Sequence, residues 1–391
     1  MRTSRLVDRI QPSATLALVA RTSELRAAGR EIVSFGAGEP DFPTPANVRA
    51  AAVRAMEAGH TRYTAVAGIV ELRRAIAASY RAAGLAYDAN DVLVTSGAKH
   101  ALYNALLALL DPGDRVIVPS PYWVSYPEMV KAVGGTPVHV ECREEDGFRL
   151  RPEALRRVGR GARALLFNGI SNPTGAVHSR EDQAALAEVC RELDLAVISD
   201  EIYERLVYDG VSTPPFAAVS EDARARTVLV SGVSKTYAMT GWRIGWALGP
   251  SNVVAGMRKM QSQSTSNATS IAQWAALEAL TGPQHEIAAM VHEFERRRDR
   301  MVELLRAIPD VHVTTPGGAF YVLPRVDAYY GRRTGVHDSA TLAEALLEQA
   351  GVAVVPGEPF GAPAHVRLSY ACSMDDIERG VARLAEFLTA L

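Results

Sequence analysis

A lysine at the end of an apolar run is the most chemically suggestive residue in this chain. Lys235 follows the run TVLV at residues 227–230, and Arg243 lies downstream of it. A lysine amine at the carboxyl end of a buried strand can form a Schiff base with a carbonyl compound. A lysine that faces solvent is the alternative, and Lys235 alone does not decide between the two.

An acidic residue ends a second apolar run and suits the same kind of ligand. Asp200 follows AVIS at residues 196–199, with Tyr203 three positions later. A buried carboxylate protonates unless a cation pairs with it, and a pyridinium nitrogen would serve. The competing interpretation is a helix N-cap at Asp200 with Glu201 as a first-turn acid.

Three more segments follow apolar runs. The turn at residues 96–99 includes Gly97 and Ala98, and its free backbone N–H groups at a helix start would bind a phosphate. Asn172, in NPTG at 172–175, could donate to a ring hydroxyl. Trp123 could stack on a heteroaromatic ring. A packing turn, a plain turn and core packing are the respective alternatives, but all five groups favour one site.

The elements that position these groups read as a parallel sheet covered by helices on both faces. Short apolar runs alternate with helical patterns from about residue 91 onward, and the carboxyl ends of such strands form the ligand crevice. After about residue 285 a long charged helix (285–308) precedes short strands at 311–313, 319–322, 352–355 and 366–369, then a final helix from Met374. This second part predicts a smaller α+β domain.

Composition excludes several classes of protein. The 42 basic and 44 acidic residues nearly cancel, so there is no electrostatic reason to expect nucleic acid or an anionic membrane as partner. The 3 cysteines lack metal-ligand spacing and form no disulfide framework, so we expect no metal site. With neither a signal sequence nor an apolar span evident, we expect a cytoplasmic enzyme in a reducing compartment.

The chain resembles the fold-type I aminotransferases that depend on pyridoxal 5'-phosphate (PLP). It is most similar to the bacterial aspartate aminotransferase subgroup, which also includes prephenate aminotransferases. The resemblance runs nearly end to end, and its most specific motif is SKTYAMTGWRIGW at residues 234–246. FGAGEPDF at 35–42 and PYWVSYPE at 121–128 support it.

This resemblance implies a fold and an assembly. The expected α/β architecture has a large PLP-binding domain at residues 45–284, with a mostly parallel seven-stranded sheet between helices. Residues 1–44, which include an N-terminal arm, and 285–391 would form the small domain. Tyr63 is similar to the tyrosine that reaches the cofactor phosphate of the neighbouring subunit, which implies a homodimer with shared active sites.

The resemblance also assigns roles to individual residues. Lys235 would be the Schiff-base lysine, Asp200 would pair with the pyridine nitrogen, and Tyr203 would hydrogen-bond the ring 3-oxygen; these three are the expected catalytic residues. The remaining cofactor ligands would be Asn172 at the same oxygen, Trp123 on the ring face, and Gly97, Ala98, Arg243 and the partner's Tyr63 at the phosphate.

Substrate binding is implied at a further set of positions. Arg367 matches the arginine that binds the substrate α-carboxylate, which suits guanidinium geometry; a surface arginine is the alternative. Gly38 would lie over the substrate, and Trp123 and Asn172 would also contact it. Thr15 and Lys99, with Ser13 close by, would meet the distal carboxylate of an acidic substrate.

Two positions depart from the pattern of the relatives. Gln11 stands where relatives usually carry lysine or arginine, which weakens the case for prephenate. Gly232 stands where several related subgroups carry a phosphate-binding serine, and Ser231 or Ser234 are the possible substitutes.

The expected function is therefore ping-pong transamination of an L-amino acid, with L-aspartate and 2-oxoglutarate as the first choice. The alternative is an aminotransferase-like biosynthetic PLP enzyme that acts on prephenate, an aromatic or an unusual substrate, with elimination, cyclisation or oxidation as possible outcomes. A catalytically inert binding module is disfavoured because the lysine, aspartate and arginine are all present.

Overall fold

The protein is described by a computed structural model that covers residues 1–12 and 14–391, so Ser13 lies outside the described residues. The strands are β1 (Val33–Ser34), β2 (Val92–Thr95), β3 (Arg115–Ser120), β4 (Thr136–Glu141), β5 (Ala164–Asn168), β6 (Ala196–Asp200), β7 (Thr227–Gly232), β8 (Gly245–Leu248), β9 (Tyr321–Val322), β10 (Val352–Ala353), β11 (Val355–Pro356) and β12 (Val366–Ser369).

Helices surround these strands. The α-helices of the described chain are α1 (Ala14–Ala27), α2 (Ala46–Glu57), α3 (Val70–Ser79), α4 (Ala98–Leu109), α5 (Ser125–Ala132), α6 (Pro152–Gly159), α7 (Arg180–Glu192), α8 (Glu221–Arg226), α9 (Ser251–Ser262), α10 (Ser270–Thr281), α11 (His285–Arg306), α12 (Ser339–Ala345) and α13 (Met374–Thr389). None of the helices in the described part is both long enough and apolar enough to cross a membrane.

The main sheet has seven strands in the order β2-β8-β7-β6-β5-β3-β4. Only β8 runs antiparallel to its neighbours, β2 and β7. Strands β2 and β7 are buried along their whole length, as expected for strands covered by helices on both faces. The predicted α/β class and mostly parallel seven-stranded sheet are confirmed, and the carboxyl ends of six strands share one edge.

The small sheets join the two ends of the chain. Strand β1 pairs with β10 in parallel, while β11, β12 and β9 form an antiparallel sheet in that order. Strand β12 carries Arg367, and Tyr321 of β9 pairs with Ser369 beside it. These short strands therefore hold an arginine and a tyrosine at fixed positions relative to the main sheet.

Two predictions for this region were wrong in detail. The expected strand at 311–313 is absent, because only His312 pairs there, in an isolated bridge with Arg325. The expected strand at 352–355 is two strands, since β10 pairs with β1 and β11 pairs with β12, and the chain changes partner at Val354. An apolar run does not encode such a change of partner.

Helix α13 approaches β1 so closely that a glycine is required between them. A Cβ atom on Gly380 would lie 2.4 Å from Cζ of Phe35 and 2.7 Å from Cγ1 of Val33. Phe35 is fully buried, so its ring can move away only by displacing its neighbours in the core. The absence of a side chain at Gly380 sets the distance between helix and strand.

We expect Gly380→Ala to destabilise the protein by about 1–3 kcal/mol, the usual cost of overpacking a core. Gly256→Ala in α9 is the matched control, because its Cβ would meet Ala108 at an ordinary 3.5 Å. That control should be stabilising by about 0.5–1 kcal/mol, since alanine favours a helix over glycine. Urea unfolding followed by circular dichroism measures both, and equal effects of the two variants would contradict the packing argument.

Candidate active site

One cavity of about 400 Å³ lies at the carboxyl ends of the parallel strands. It is bounded by the ends of the main-sheet strands on one side, and by residues of β9 and β12 on the other. Most of the predicted site residues line it together: Thr15, Gly38, Ala98, Lys99, Trp123, Asn172, Asp200, Tyr203, Lys235, Arg243 and Arg367.

Lys235 presents its amine to this cavity rather than to bulk solvent. Its Nζ donates to the carbonyl oxygen of Gly38 at 2.5 Å. Burial lowers the pKa of the Lys235 amine to about 8, and Arg243 acts in the same direction while Glu39 opposes it. Roughly a tenth of the amine is therefore unprotonated, and nucleophilic, at pH 7, far more than for an ordinary lysine.

Asp200 is a buried carboxylate with neutral partners only. Its Oδ2 accepts a hydrogen bond from Tyr126 Oη at 2.8 Å, and its Oδ1 accepts one from the backbone N–H of Ile202 at 3.1 Å. Burial raises the pKa of Asp200 to about 6, although both hydrogen bonds act in the opposite direction. No cationic side chain of the described chain forms an ion pair with it, so a cationic ligand atom would complete its environment.

The segment after Asp200 is a turn and not the start of an α-helix, so the N-cap interpretation is wrong. The turn is anchored by Glu204, whose Oε1 accepts hydrogen bonds from Tyr80 Oη and Ser231 Oγ, each at 3.0 Å. The turn thereby directs both Asp200 and Tyr203 into the cavity.

An anion-binding corner forms where α4 begins. Gly97 has φ +86°, and a Cβ there would lie 2.5 Å from Nη2 of Arg243. Arg243 donates to two carbonyl oxygens, those of Thr240 at 2.9 Å and Ser96 at 3.4 Å, but pairs with no acid in the described chain. A guanidinium beside the N-terminus of a twelve-residue helix suits a phosphate.

The structure distinguishes Ser231 from Ser234 as the serine that could serve in place of Gly232. Ser234 lines the cavity. Ser231 instead donates to the carbonyl oxygen of Glu201 and to the carboxylate of Glu204, away from the cavity. Ser234 is therefore the serine available to a ligand in this corner.

Arg367 is a buried cation that pairs with no acid among the described residues. It is only 2% exposed, and it donates to Asn172 Oδ1 at 3.2 Å and to the carbonyl oxygen of Gly36 at 3.1 Å. Its Nε has no hydrogen-bond partner in the part of the chain that the structure describes. Because the arginine must donate, Asn172 presents its oxygen to Arg367 and leaves its amide nitrogen for a ligand. A carboxylate would satisfy this arginine.

Lys99 adds a further basic side chain to the cavity. Lys99 Nζ lies 3.1 Å from Ser125 Oγ and 4.6 Å from the centre of the Trp123 ring. Burial lowers the pKa of Lys99. Thr15 lines the same cavity. The cavity thus offers positive groups from α4 and from β12.

Two tyrosines escaped the sequence analysis. Tyr126 lies within a recognised motif, but only the fold reveals that it hydrogen-bonds Asp200. Tyr321 was predicted as part of a strand, and its hydroxyl lies 3.0 Å from that of Tyr203. No local sequence signal identifies either contact, because each joins residues far apart in the chain.

Tyr63 does not line the cavity of its own chain. Its side chain is 91% exposed, which is unusual for a large aromatic residue. The role at a partner's cofactor stays a prediction.

Comparison with known proteins identifies the family. The profile described as aminotransferase class I and II matches residues 30–384. The chain belongs to this family. The chain is 45% identical to the aspartate aminotransferase of Geobacillus stearothermophilus over 100% of both chains. It is 47% identical to the aspartate/prephenate aminotransferase of Cereibacter sphaeroides over 99% of each.

A solved structure shows the same fold. The aspartate aminotransferase of Thermus thermophilus with maleate is 46% identical, superposes with a TM-score of 0.92, and matches 99% of this chain and 100% of its own. The predicted resemblance to class I and II aminotransferases, and the fold-type I architecture, are therefore confirmed.

Class I and II aminotransferases generally depend on PLP, and this site fits that cofactor. Asp200 needs a cation, which a protonated pyridine nitrogen supplies. Arg243 and the N-terminus of α4 favour an anion, which a phosphate supplies. Lys235 has a nucleophilic amine in the same cavity.

A second buried acid, Glu201, adjoins Asp200 without facing the cavity. Its Oε1 accepts hydrogen bonds from Ser199 Oγ at 2.6 Å and from the backbone N–H of Phe216 at 3.0 Å. Burial raises the pKa of Glu201 to about 7. An acid whose folded pKa is raised stabilises the fold fully below its unfolded pKa, and that contribution is lost as the pH rises through about 7.

We expect Glu201→Gln to become more stable relative to the unmodified protein as the pH rises from 5 to 8, by up to about 3 kcal/mol. The glutamine keeps an oxygen acceptor but carries no charge to bury. Urea denaturation at both pH values measures the difference, with the exposed Glu57→Gln as control. A difference between Glu201→Gln and the unmodified protein that does not change with pH would contradict the titration of Glu201 in this range.

Proposed function

We propose that the protein transfers the amino group of L-aspartate to 2-oxoglutarate, with PLP held on Lys235. The main support is that Lys235, Asp200 and Arg367 line one cavity. They bring a nucleophilic amine, a carboxylate without a cation and a guanidinium without an acid among the described residues. Relatives of 42–47% identity that bear the names aspartate and aspartate/prephenate aminotransferase support it.

The cofactor would be held by the groups that lack partners. Asp200 would pair with the ring nitrogen, so the bound pyridinium would act as the electron sink of the reaction. The remaining contacts would come from Tyr203 and Asn172 at the 3-oxygen, Trp123 on the ring face, and Gly97, Ala98, Ser234 and Arg243 at the phosphate.

Lys235 would also move the proton. Once the substrate amine has displaced Lys235 from the cofactor, the free lysine amine would take the α-proton of the substrate. It would then return a proton on the cofactor side of the bond that joins the substrate nitrogen to the cofactor. A pKa of about 8 suits this exchange, because both protonation states are accessible near neutral pH.

Arg367 would bind the α-carboxylate through two parallel hydrogen bonds. Its contacts with Asn172 and the backbone of Gly36 hold the guanidinium in one orientation. Gly38 lies next to Lys235 and would cover the substrate. Approach of the small sheets toward the main sheet would then exclude water from the cavity.

Selectivity for a dicarboxylic substrate would rest on Lys99 and Thr15. Both line the cavity, and Ser125 holds the Lys99 amine at 3.1 Å. The Thermus thermophilus relative was solved with maleate, itself a dicarboxylate, which supports a site of this kind. The Cereibacter sphaeroides relative favours prephenate as a second substrate, whereas Gln11 in place of a cation weighs against it.

We also propose a homodimer in which Tyr63 completes the neighbouring site. Its exposed aromatic side chain, outside the cavity of its own chain, supports this arrangement.

Excess L-aspartate without an oxo acid should convert the visible band of the PLP-loaded protein to the near-ultraviolet band of pyridoxamine phosphate. Lys235→Ala should abolish this conversion and all turnover, because it removes both the attachment point and the base. Lys259→Ala, at an exposed lysine of α9, is the control and should behave as the unmodified protein. A PLP band that ignores aspartate but responds to another amino acid would overturn the substrate assignment.

Lys99→Met should lower kcat/KM for L-aspartate about tenfold or more, since a charge-assisted hydrogen bond contributes about 1.5–3 kcal/mol. The value for L-alanine, which lacks a distal carboxylate, should change little. Steady-state kinetics with both donors measures the split, and Lys131→Met, at a lysine paired with Glu128 outside the cavity, is the matched control. Equal losses for both donors would contradict a specific role of Lys99 at the distal carboxylate.

A further inference from the structure

Tyr321 connects two parts of the site that lie on different sheets. It belongs to β9, next to the strand that carries Arg367, and its side chain is only 1% exposed. It also lines the cavity opposite the ends of the main-sheet strands. It is therefore placed to touch both the arginine and the groups around Asp200.

The hydroxyl of Tyr321 has one partner among the described residues. Its Oη lies 3.0 Å from Oη of Tyr203, and either atom could donate. Burial raises the pKa of both phenols, so both hydroxyls keep their protons at neutral pH. If Tyr203 donates its proton to a ligand in the cavity, its oxygen is free to accept, and Tyr321 becomes the donor of the pair.

The ring of Tyr321 has a different neighbour. The guanidinium carbon of Arg367 lies 4.5 Å from its centre, and it also lies 5.1 Å from the centre of the Phe360 ring. A buried guanidinium is attracted to an aromatic face, so the ring supports the arginine while the hydroxyl reaches Tyr203.

The position of Tyr321 is rigid. Its ring centre lies 4.6 Å from that of Phe320, and its backbone pairs with Ser369 of β12. The carbonyl oxygen of the preceding Ala319 accepts hydrogen bonds from the hydroxyls of Tyr208 and Tyr370. The contact with Tyr203 is thus held from the small sheets and is not a chance approach of two mobile side chains.

We propose that Tyr321 is a positioning residue that couples the arginine at the substrate carboxylate to the phenol at the cofactor ring oxygen. Its hydroxyl polarises Tyr203, and its ring holds Arg367. This inference rests on the proposed function, since it assigns Tyr203 to the ring 3-oxygen and Arg367 to the α-carboxylate.

The hydroxyl contribution has a spectroscopic consequence. Negative charge on the ring 3-oxygen helps to hold the proton on the bond between Lys235 and PLP. A hydrogen-bond donor at that oxygen draws on the same charge and so weakens the hold on this proton. A stronger Tyr203 donor therefore lowers the pH at which the visible band of the PLP-loaded protein titrates. Removing the Tyr321 hydroxyl should raise that pH.

The test titrates the visible band of the PLP-loaded unmodified protein, Tyr321→Phe, Tyr203→Phe and the double variant. Tyr321→Phe should titrate about half a unit to one unit higher, the equivalent of one hydrogen bond. The double variant should titrate at the same pH as Tyr203→Phe, because the Tyr321 hydroxyl acts only through Tyr203. A Tyr321→Phe protein that titrates within about 0.3 unit of the unmodified one, or that adds its full shift to Tyr203→Phe, would overturn the coupling.

The ring contribution is measured with maleate as an unreactive dicarboxylate. Tyr321→Phe keeps the ring, so its dissociation constant for maleate should stay within about twofold of the unmodified protein. Tyr321→Leu should bind maleate roughly threefold to tenfold more weakly, with Tyr321→Met taking its place if the leucine variant does not fold. Unchanged maleate binding by the variant without a ring would overturn the support of Arg367.

Different results would overturn the proposed function and the role of Tyr321. An unmodified protein that binds no PLP overturns the proposed function and this inference together. An unmodified protein that transaminates aspartate, alongside a Tyr321→Phe protein with an unchanged titration, overturns this inference alone.

Discussion

The burial of the Asp200 carboxylate is the constraint on which the rest of the site depends. The chain carries this acid to the buried end of β6 and surrounds it with Tyr126 and a backbone N–H, and no cation of the described residues pairs with it. Burial raises its pKa to about 6, so the protein alone holds this charge at a cost that a cationic ligand removes. The turn that follows Asp200 is tied to the core because Glu204 accepts hydrogen bonds from Tyr80 and Ser231.

Arg367 is the opposite case, a buried cation that lacks an acid. It comes from the small sheets, whereas Asp200 comes from the main sheet, and the two face one cavity. Each half of the molecule therefore brings a charge that the protein leaves unpaired. A cofactor with a protonated ring nitrogen would complete Asp200, and a substrate carboxylate would complete Arg367, so the proposed cofactor and substrate contacts share one cavity.

Much of this was accessible from sequence because the relevant signals are local. Apolar runs ending in Asp200 or Lys235 mark strand ends, and strand ends of a parallel sheet meet at one edge. The motif around Lys235 also carried the family resemblance. Strands β4 and β8 lack such a signal, since only Val140 of β4 is buried and β8 begins inside the motif at 234–246.

What the sequence could not provide are contacts between distant residues. The contacts of Tyr126 with Asp200, Tyr321 with Tyr203 and Ser231 with Glu204 are each set by how helices, turns and strands pack together, not by spacing along the chain. The strand change at Val354 has the same origin, since its two halves find partners at opposite ends of the chain.

The central claim is that Asp200 requires a cation and obtains it from the ring nitrogen of bound PLP. The most direct test is the ¹⁵N chemical shift of that nitrogen, with labelled PLP bound to the unmodified protein and to Asp200→Asn. We expect a protonated ring nitrogen at neutral pH in the unmodified protein and an unprotonated one in Asp200→Asn. An unprotonated nitrogen in the unmodified protein, with Asp200 in place, would contradict it.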